Sequence, residues 1–485
     1  MITPEYLQSV PDVMVELFAQ AEADILADMA RRISGFDMFI PAAEHQMQVL
    51  EAMGELRSSI VQELSRLTGK SQKELADIMR EAGMQALEAD EKIYKAAGLA
   101  HSPAAASPAM RKVLAAGMEK TGGVFKNLTK TTANTATKQF ERALDRAYMQ
   151  ISSGAIDPTA AVKSAVKALA KEGVSAVTYP SGHTDSLEVA VRRATITGVN
   201  QTCLQLQEAR ADELGVDLVE TTAHAGARPS HAEWQGQIFS RSGRSRKYPD
   251  FVSSTGYGTG AGLGGWNCSH SFRPYVEGMP RAYSKGLLDS YGARDYEYNG
   301  QKMTEYEALQ QQREIERNLR RWKRENLAMK AAGLDTTESA TKIAKWQSTQ
   351  KDFIRQTGLK RQADREQIAG WGRSQAAAAT GTNRAYTTFS TKVLEAGSTS
   401  TGIRITVVSP HVYARGKERG VSAQSIMDAL TNPLKTNSIR ADRSQQFIGP
   451  SATVAINVDS GKVITVWPTQ TKLAEKLRKA RETGK

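Results

Sequence analysis

Apolar positions spaced three and four apart dominate the first two hundred residues, and that spacing predicts long packed helices. Val13, Leu17 and Ala21 fall on one helical face, and Ile25, Met29 and Ile33 extend it. Gly35-Phe-Asp breaks the pattern, and Pro41 starts the next helix, as proline does at a first turn. Met47, Leu50, Met53, Leu56 and Ile60 resume the stripe. Thr68-Gly-Lys-Ser71 reads as a turn, and Ser71-Gln-Lys-Glu74 has the form of a capping box opening a further helix. Ala100–Pro108, with two prolines, reads as a joint. A second helical block follows, interrupted at Ser152-Ser-Gly and at Thr178-Tyr-Pro-Ser-Gly-His183. Asp185 to Leu214 reads as one helix ending at Gly215. Asp217–Thr222 alternates and is β-branched, as a strand requires.

Beyond Pro274 the chain reads as loop to about Asn299, then as helix from Met303 to about Leu334. The run Arg313-Glu-Ile-Glu-Arg-Asn-Leu-Arg-Arg-Trp-Lys-Arg324 interleaves both charge signs, the mark of a solvated face with i,i+4 pairs. Further helix extends to about 380, and the Ala/Thr/Gly/Ser-rich stretch 381–402 reads as a linker. The last part changes character: one helix over about 410–431 ending at Asn432-Pro433, then strands Ala452–Val458 and Lys462–Trp467 joined by a tight Asp459-Ser-Gly461 turn. The pattern therefore gives a mainly α N-terminal two-thirds with an embedded small α+β segment, and a C-terminal α+β module. Its divisions are 1–100, 101–184, 185–300, 301–380, the linker 381–402, and 403–485.

Composition narrows the class. Hydrophobic residues are 40% and charged residues 24% of 485, ordinary for a soluble globular protein. No apolar run approaches the roughly 18 residues that cross a bilayer, so no membrane segment is expected. Met1-Ile-Thr-Pro-Glu-Tyr resembles no secretory signal, and two cysteines cannot form a disulfide framework, so synthesis in a reducing cytoplasm is expected. The net charge of +12 is uneven: residues 1–100 hold 17 Asp/Glu against 9 Lys/Arg, and residues 401–485 hold 14 Lys/Arg against 6 Asp/Glu. An acidic head and a basic tail suggest two different partners, the tail suited to a polyanion such as packaged DNA or RNA.

The densest chemistry lies between His224 and Pro274. It opens His224-Ala-Gly-Ala-Arg228-Pro-Ser-His231-Ala-Glu-Trp234-Gln-Gly and closes Gly264-Gly-Trp-Asn-Cys268-Ser-His270-Ser-Phe-Arg-Pro274, with three of the seven histidines and one of the two cysteines. His224, His231, Cys268 and His270 supply the donor types of a tetrahedral structural zinc. Six residues separate the first pair and one the second, unlike the two to four usual at such sites. The other reading is a loop-packed core whose histidines bond to backbone. Cys268-x-His270 places a thiol and an imidazole on one strand face, but no carboxylate is placed to orient the imidazole for nucleophilic work. The glycines of Tyr257–Gly265 lack the Lys-Ser/Thr ending of a phosphate loop and call instead for close backbone approach.

These motifs, with Lys247-Tyr-Pro-Asp-Phe251 between them, resemble the phage minor capsid protein 2 family, related to head-morphogenesis proteins like protein F of phage Mu. The resemblance covers roughly residues 5–330 and is densest over 190–285. It implies a virion protein, present in few copies, associated with the portal and other capsid proteins or with the capsid interior, and its acidic head as the docking part.

In the tail, His411, Arg415 and Arg419 recur every four residues and share a helix face, with Lys417 nearby. An imidazole to move the ribose 2′-hydroxyl proton and cations to stabilise the phosphorane are what metal-independent ribonuclease chemistry needs. Thr465 offers a phosphate donor and Trp467 a stacking surface. His411-x3-Arg-x3-Arg419-Gly-Val-Ser, Asn432-Pro, Gly449-Pro-x2-Thr-Val and Gly461-Lys-Val-Ile-Thr-Val-Trp467 resemble the small barnase–EndoU–colicin-like nucleases found fused to phage head proteins. That resemblance makes His411, Arg415, Arg419 and Thr465 the expected catalytic set, with Lys417 and Trp467 as nucleic-acid contacts. A non-catalytic basic domain on packaged DNA fits the same residues. So does a virion-delivered ribonuclease toxin whose head-protein part serves only for packaging.

Overall fold

The computed structural model describes residues 2–99, 103–104, 107–154 and 156–482. The expected joint at Ala100–Pro108 lies largely outside them. The chain divides into two compact units: Met1–Arg324 with Gln350–Gly370, and Glu325–Thr349 with Trp371–Lys485.

The first unit begins with α1 (Pro4–Ser9), α2 (Asp12–Gly35), α3 (Ala42–Ala96), α4 (Pro108–Ser152) and α5 (Pro158–Glu172). A two-stranded hairpin, β1 (Ser175–Thr178) and β2 (Thr184–Ser186), leads into α6 (Leu187–Glu213). Helices α3, α4 and α6 pack side by side. The buried stripe of α2 runs through Met14, Phe18, Ala21, Ile25, Met29 and Ile33, one residue off the expected line at its start, and Val13 is 50% exposed. In α3 the expected stripe holds at Leu56 and Ile60, while Met47, 72% exposed, and Leu50 face outward. The turn expected at Thr68–Ser71 is absent. Helix α3 runs through it, with Ser71 buried in its interior, so Gly69 costs the helix about 1 kcal/mol without ending it. Packing of the long apolar face against α4 outweighs that local preference.

After α6 comes a three-stranded antiparallel sheet in the order β4-β3-β5: β3 (Leu218–Thr221) in the centre, β4 (Ile238–Ser240) and β5 (Phe272–Pro274) at its sides. One-turn helices α7 (Pro229–Ala232) and α8 (Phe251–Thr255) fill the connections. Leu204 of α6, Val219, Trp234, Phe239, Phe251, Leu263 and Phe272 form the core of this segment. The stretch expected as loop after Pro274 carries α9 (Lys285–Ser290) and a hairpin, β6 (Tyr296–Tyr298) with β7 (Gln301–Met303).

The division between the units falls within α10 (Glu305–Ala331) and α11 (Thr337–Thr357). The charged run of α10 is solvated on one side only, at Glu314 and Arg317. Ile315, Glu316, Leu319, Trp322 and Lys323 are buried. The charges find partners on other elements: Arg320 and Arg324 pair with Glu188 of α6 at 3.4 and 3.7 Å, and Lys323 Nζ donates to the Glu366 carbonyl at 2.6 Å. Burial pulls the Lys323 ammonium down to about 8.

The second unit holds α12 (Arg373–Leu394), β8 (Val407–Val408), α13 (Pro410–Glu418), α14 (Ala423–Thr431), β9 (Lys435–Thr436), β10 (Ser444–Ile448), β11 (Ala452–Asn457), β12 (Lys462–Pro468) and α15 (Thr471–Glu482). The first half of the expected linker 381–402 is helical, part of α12. Val393 is buried in the unit's core and Phe389 packs against it, so the segment is held as helix by its few apolar residues, while Gly381, Ala385, Thr387 and Thr388 face outward. The single helix expected over 410–431 is two, because the chain turns at Gly420 with φ at +66°. The five strands lie in the order β8-β12-β11-β10-β9, with β12 and β8 parallel and the other pairs antiparallel. Its apolar side, including Phe447, Val454, Ile456, Val463 and Val466, packs with Val412, Ile426 and Leu430 of the helices.

Candidate metal centre

Strand β3 delivers the chain to His224, whose backbone N–H donates to Gln235 Oε1 at 3.1 Å. Pro229 opens α7 and carries His231 into the interior. From the other side, the approach to β5 is pinned by α6: Asn200 Nδ2 donates to the carbonyls of Cys268 and His270 at 2.9 and 3.1 Å. Ser271 N–H donates to Thr222 Oγ1 at 2.8 Å, and Ser271 Oγ donates to Gln207 Oε1 at 2.9 Å. The result gathers side chains 37 to 39 residues apart in sequence.

His231, Cys268 and His270 are buried, and one ligand atom from each lies within 4.8 Å of the others. His231 Nδ1 and His270 Nδ1 are 3.4 Å apart, and Cys268 Sγ is 3.8 and 3.7 Å from them. The far nitrogens face oxygens: His231 Nε2 lies 2.9 Å from the Ala261 carbonyl and His270 Nε2 3.2 Å from Gln235 Oε1. Gln235 Oε1 also accepts the His224 amide, so it is the oxygen of that side chain. Both imidazoles therefore carry their proton on Nε2 and turn bare Nδ1 lone pairs toward each other and the thiol. Burial holds His231 and His270 below the usual imidazole range and pushes the Cys268 thiol up. A raised thiol is a poor nucleophile, so the Cys268–His270 pair gains no support as a catalytic couple.

His224 stands beside this triangle and not in it. Its ring centroid is 4.5 Å from that of His270, and burial lowers it to about 4. It lines, with the three ligand candidates, a cavity of about 270 Å³ shared with Gln8, Arg228, Tyr306, Gln310 and Arg313. The supporting residues Asn200, Gln235 and Ala261 carry no sequence signal. Asn200 lies 68 residues from its partner Cys268, and Ala261 contributes a backbone atom.

The glycine run builds the wall that holds His231. Gly256 caps α8 in the left-handed region, Leu263 N–H bonds to Thr255 O at 3.0 Å, and Trp266 N–H to Gly260 O at 2.8 Å. A Cβ on Gly262 would meet the Gly256 carbonyl, and one on Gly265 the Gly260 carbonyl. Close approach of two backbone strands is why side chains are missing here.

In the second unit, Pro410 occupies the first turn of α13 and His411 follows, exposed. Arg415 pairs with Glu418 at 3.1 Å. Arg419 Nη1 donates to the Val466 carbonyl of β12 at 3.4 Å, which brings the end of α13 against the strand bearing half-buried Thr465 and Trp467. Lys417 is exposed.

The sequence is similar to those of phage structural proteins. A "Structural protein" of Lactococcus phage LL-H is 26% identical over 341 residues, 67% of this chain and 88% of that protein. A "Structural protein" of Lactococcus phage mv4 is 36% identical over 126 residues, 25% of this chain and 94% of that protein. The family model for phage minor capsid protein 2 matches residues 2–355, and the chain belongs to that family. Membership makes it a structural protein of the phage virion. No solved structure matches. Residues 356–485, which include the sheet of the second unit, lie beyond the family match. No helix among the described residues is long and apolar enough to cross a membrane.

Proposed function

We propose that the chain is a portal-proximal minor head protein on the inside of the capsid, its acidic helical head docked on portal and other head proteins and its basic tail turned to the packaged nucleic acid. The family match over residues 2–355 carries this reading. Two features support it: Met47 and Leu50, three apart on α3, leave apolar surface exposed in the acidic head, and Arg/Lys residues outnumber acids in the tail. Mass spectrometry of cross-linked particles tests it. Cross-links from residues 1–100 to the portal are expected, and absence of the chain from particles and procapsids overturns the reading.

A second reading is favoured by one contact. The Arg419 bond to Val466 sets that cation, at the C-terminal end of α13, against the strand bearing Thr465 and Trp467, with the His411 imidazole about two turns back along the same helix. On that reading the full-length protein cleaves RNA without added metal, His411 acting as the proton carrier, with Arg415 and Arg419 on the phosphate. Loss of cleavage in His411→Ala with an unchanged melting curve supports it. Intact RNA after incubation with the wild type across pH 5–8 overturns it.

A further inference from the structure

We propose that His231 Nδ1, Cys268 Sγ and His270 Nδ1 bind a zinc ion whose fourth coordination position opens on the adjoining cavity and takes a solvent oxygen. This site lies within the first unit, and its zinc does not depend on where the protein sits in the particle.

The distances carry it. A tetrahedral zinc with Zn–N near 2.0–2.1 Å and Zn–S near 2.3 Å has N–N edges of about 3.4 Å and N–S edges of about 3.6 Å. The three atoms form a triangle with edges of 3.4, 3.7 and 3.8 Å. Ordinary packing gives no reason for two imidazoles to present unprotonated nitrogens to each other at 3.4 Å. The thiol has one proton and can satisfy only one of them. A cation between the three satisfies all.

The surroundings match those of metal-bound histidines, which donate the distal N–H to a carbonyl or carboxylate. Here Ala261 and Gln235 accept from the two Nε2 atoms, and Asn200 clamps the Cys268 and His270 carbonyls. One thiolate with two imidazoles selects zinc over magnesium or calcium, which prefer oxygen. Binding displaces the thiol proton to solvent, forming the Zn–S bond as the S–H bond breaks, with no change in oxidation state. His224 borders the cavity outside the triangle, and Arg228 and Arg313 line it without a carboxylate. The open position therefore faces a cationic cavity of about 270 Å³, with room for a metal-bound water or hydroxide.

The test uses the full-length protein loaded with Zn²⁺ and dialysed. Elemental analysis is expected to give about one zinc per chain, and X-ray absorption one sulfur and three N/O neighbours. Cys268→Ser and His231→Ala are expected to fall below about a tenth of that content, and Gln235→Leu to weaken binding about 10–100-fold, while His224→Ala keeps its zinc. Should a variant misfold, Co²⁺ in the wild type still decides, through its sulfur-to-metal charge-transfer band. Zinc-free wild type after loading overturns the site. Loss of zinc in a folded His224→Ala, or absorption data requiring a third imidazole, overturns the open position.

Discussion

Gly262→Ala is expected to destabilise the first unit by at least about 3 kcal/mol, the upper range of overpacking costs. The added methyl would press into the backbone of Gly256, with the Gly256 Cα only 2.7 Å away. Neither side can retreat. Gly256 caps α8 at φ +63°, Leu263 N–H is tied to Thr255 O, and Gly262 N–H is tied to Thr259 Oγ1 at 3.1 Å. Any shift also moves Ala261, whose carbonyl orients His231. The substitution should therefore lower the melting temperature and the zinc content together. Gly286→Ala in α9 is the control, because nothing lies within 4 Å of its Cβ position and its backbone is helical. It should be neutral or gain up to about 1 kcal/mol. Equal melting temperatures for the two variants, read by circular dichroism, would remove the backbone-approach argument.

The long helices and the strand before His224 were legible because a repeat of three and four, or of two, survives averaging over many residues. Helix α6 and strand β3 fall within two residues of their expected limits. Local signals failed where tertiary packing overrode them. Ser71-x-x-Glu74 has the letters of a helix start, yet α3 passes through because both neighbouring turns bury apolar residues, Leu64 and Leu75. One side of the charged run of α10 packs inward because its cations Arg320, Lys323 and Arg324 meet Glu188 and the Glu366 carbonyl, partners more than forty residues away, while Glu314 and Arg317 stay exposed. The short strands β8, β9 and β10 escaped notice because two to five residues show too little alternation to be read. At the candidate site, the residue types were legible and the geometry was not. The six- and one-residue spacings do not reveal the cluster, because α7 supplies His231 and the approach to β5 supplies Cys268 and His270, elements that meet only in the fold.

Glu220→Ala is expected to cost the first unit about 3–5 kcal/mol, the range for removing one partner of a buried ion pair. Glu220 sits on the central strand with 0% exposure, in register with Arg273 on β5. Arg273 Nε donates to Oε2 at 2.8 Å, and the Ala282 amide donates to both carboxylate oxygens at 3.0 Å. One carboxylate thus fixes the strand pair and the turn that follows it. Removing it strands a guanidinium that is only 19% exposed and leaves an amide without its acceptor. Glu220→Gln keeps an acceptor and the shape, so it should lose roughly half as much. The double variant Glu220→Leu with Arg273→Met separates two explanations. If the cost comes from the orphaned charge, the double variant recovers most of the loss, since apolar replacement of a buried pair is often neutral. If it comes from the Ala282 amide, the double variant stays as unstable as Glu220→Ala. Urea denaturation of the three proteins reads the difference, and a Glu220→Ala loss below about 1 kcal/mol would show that solvent reaches the pair and that the carboxylate does not organise the sheet.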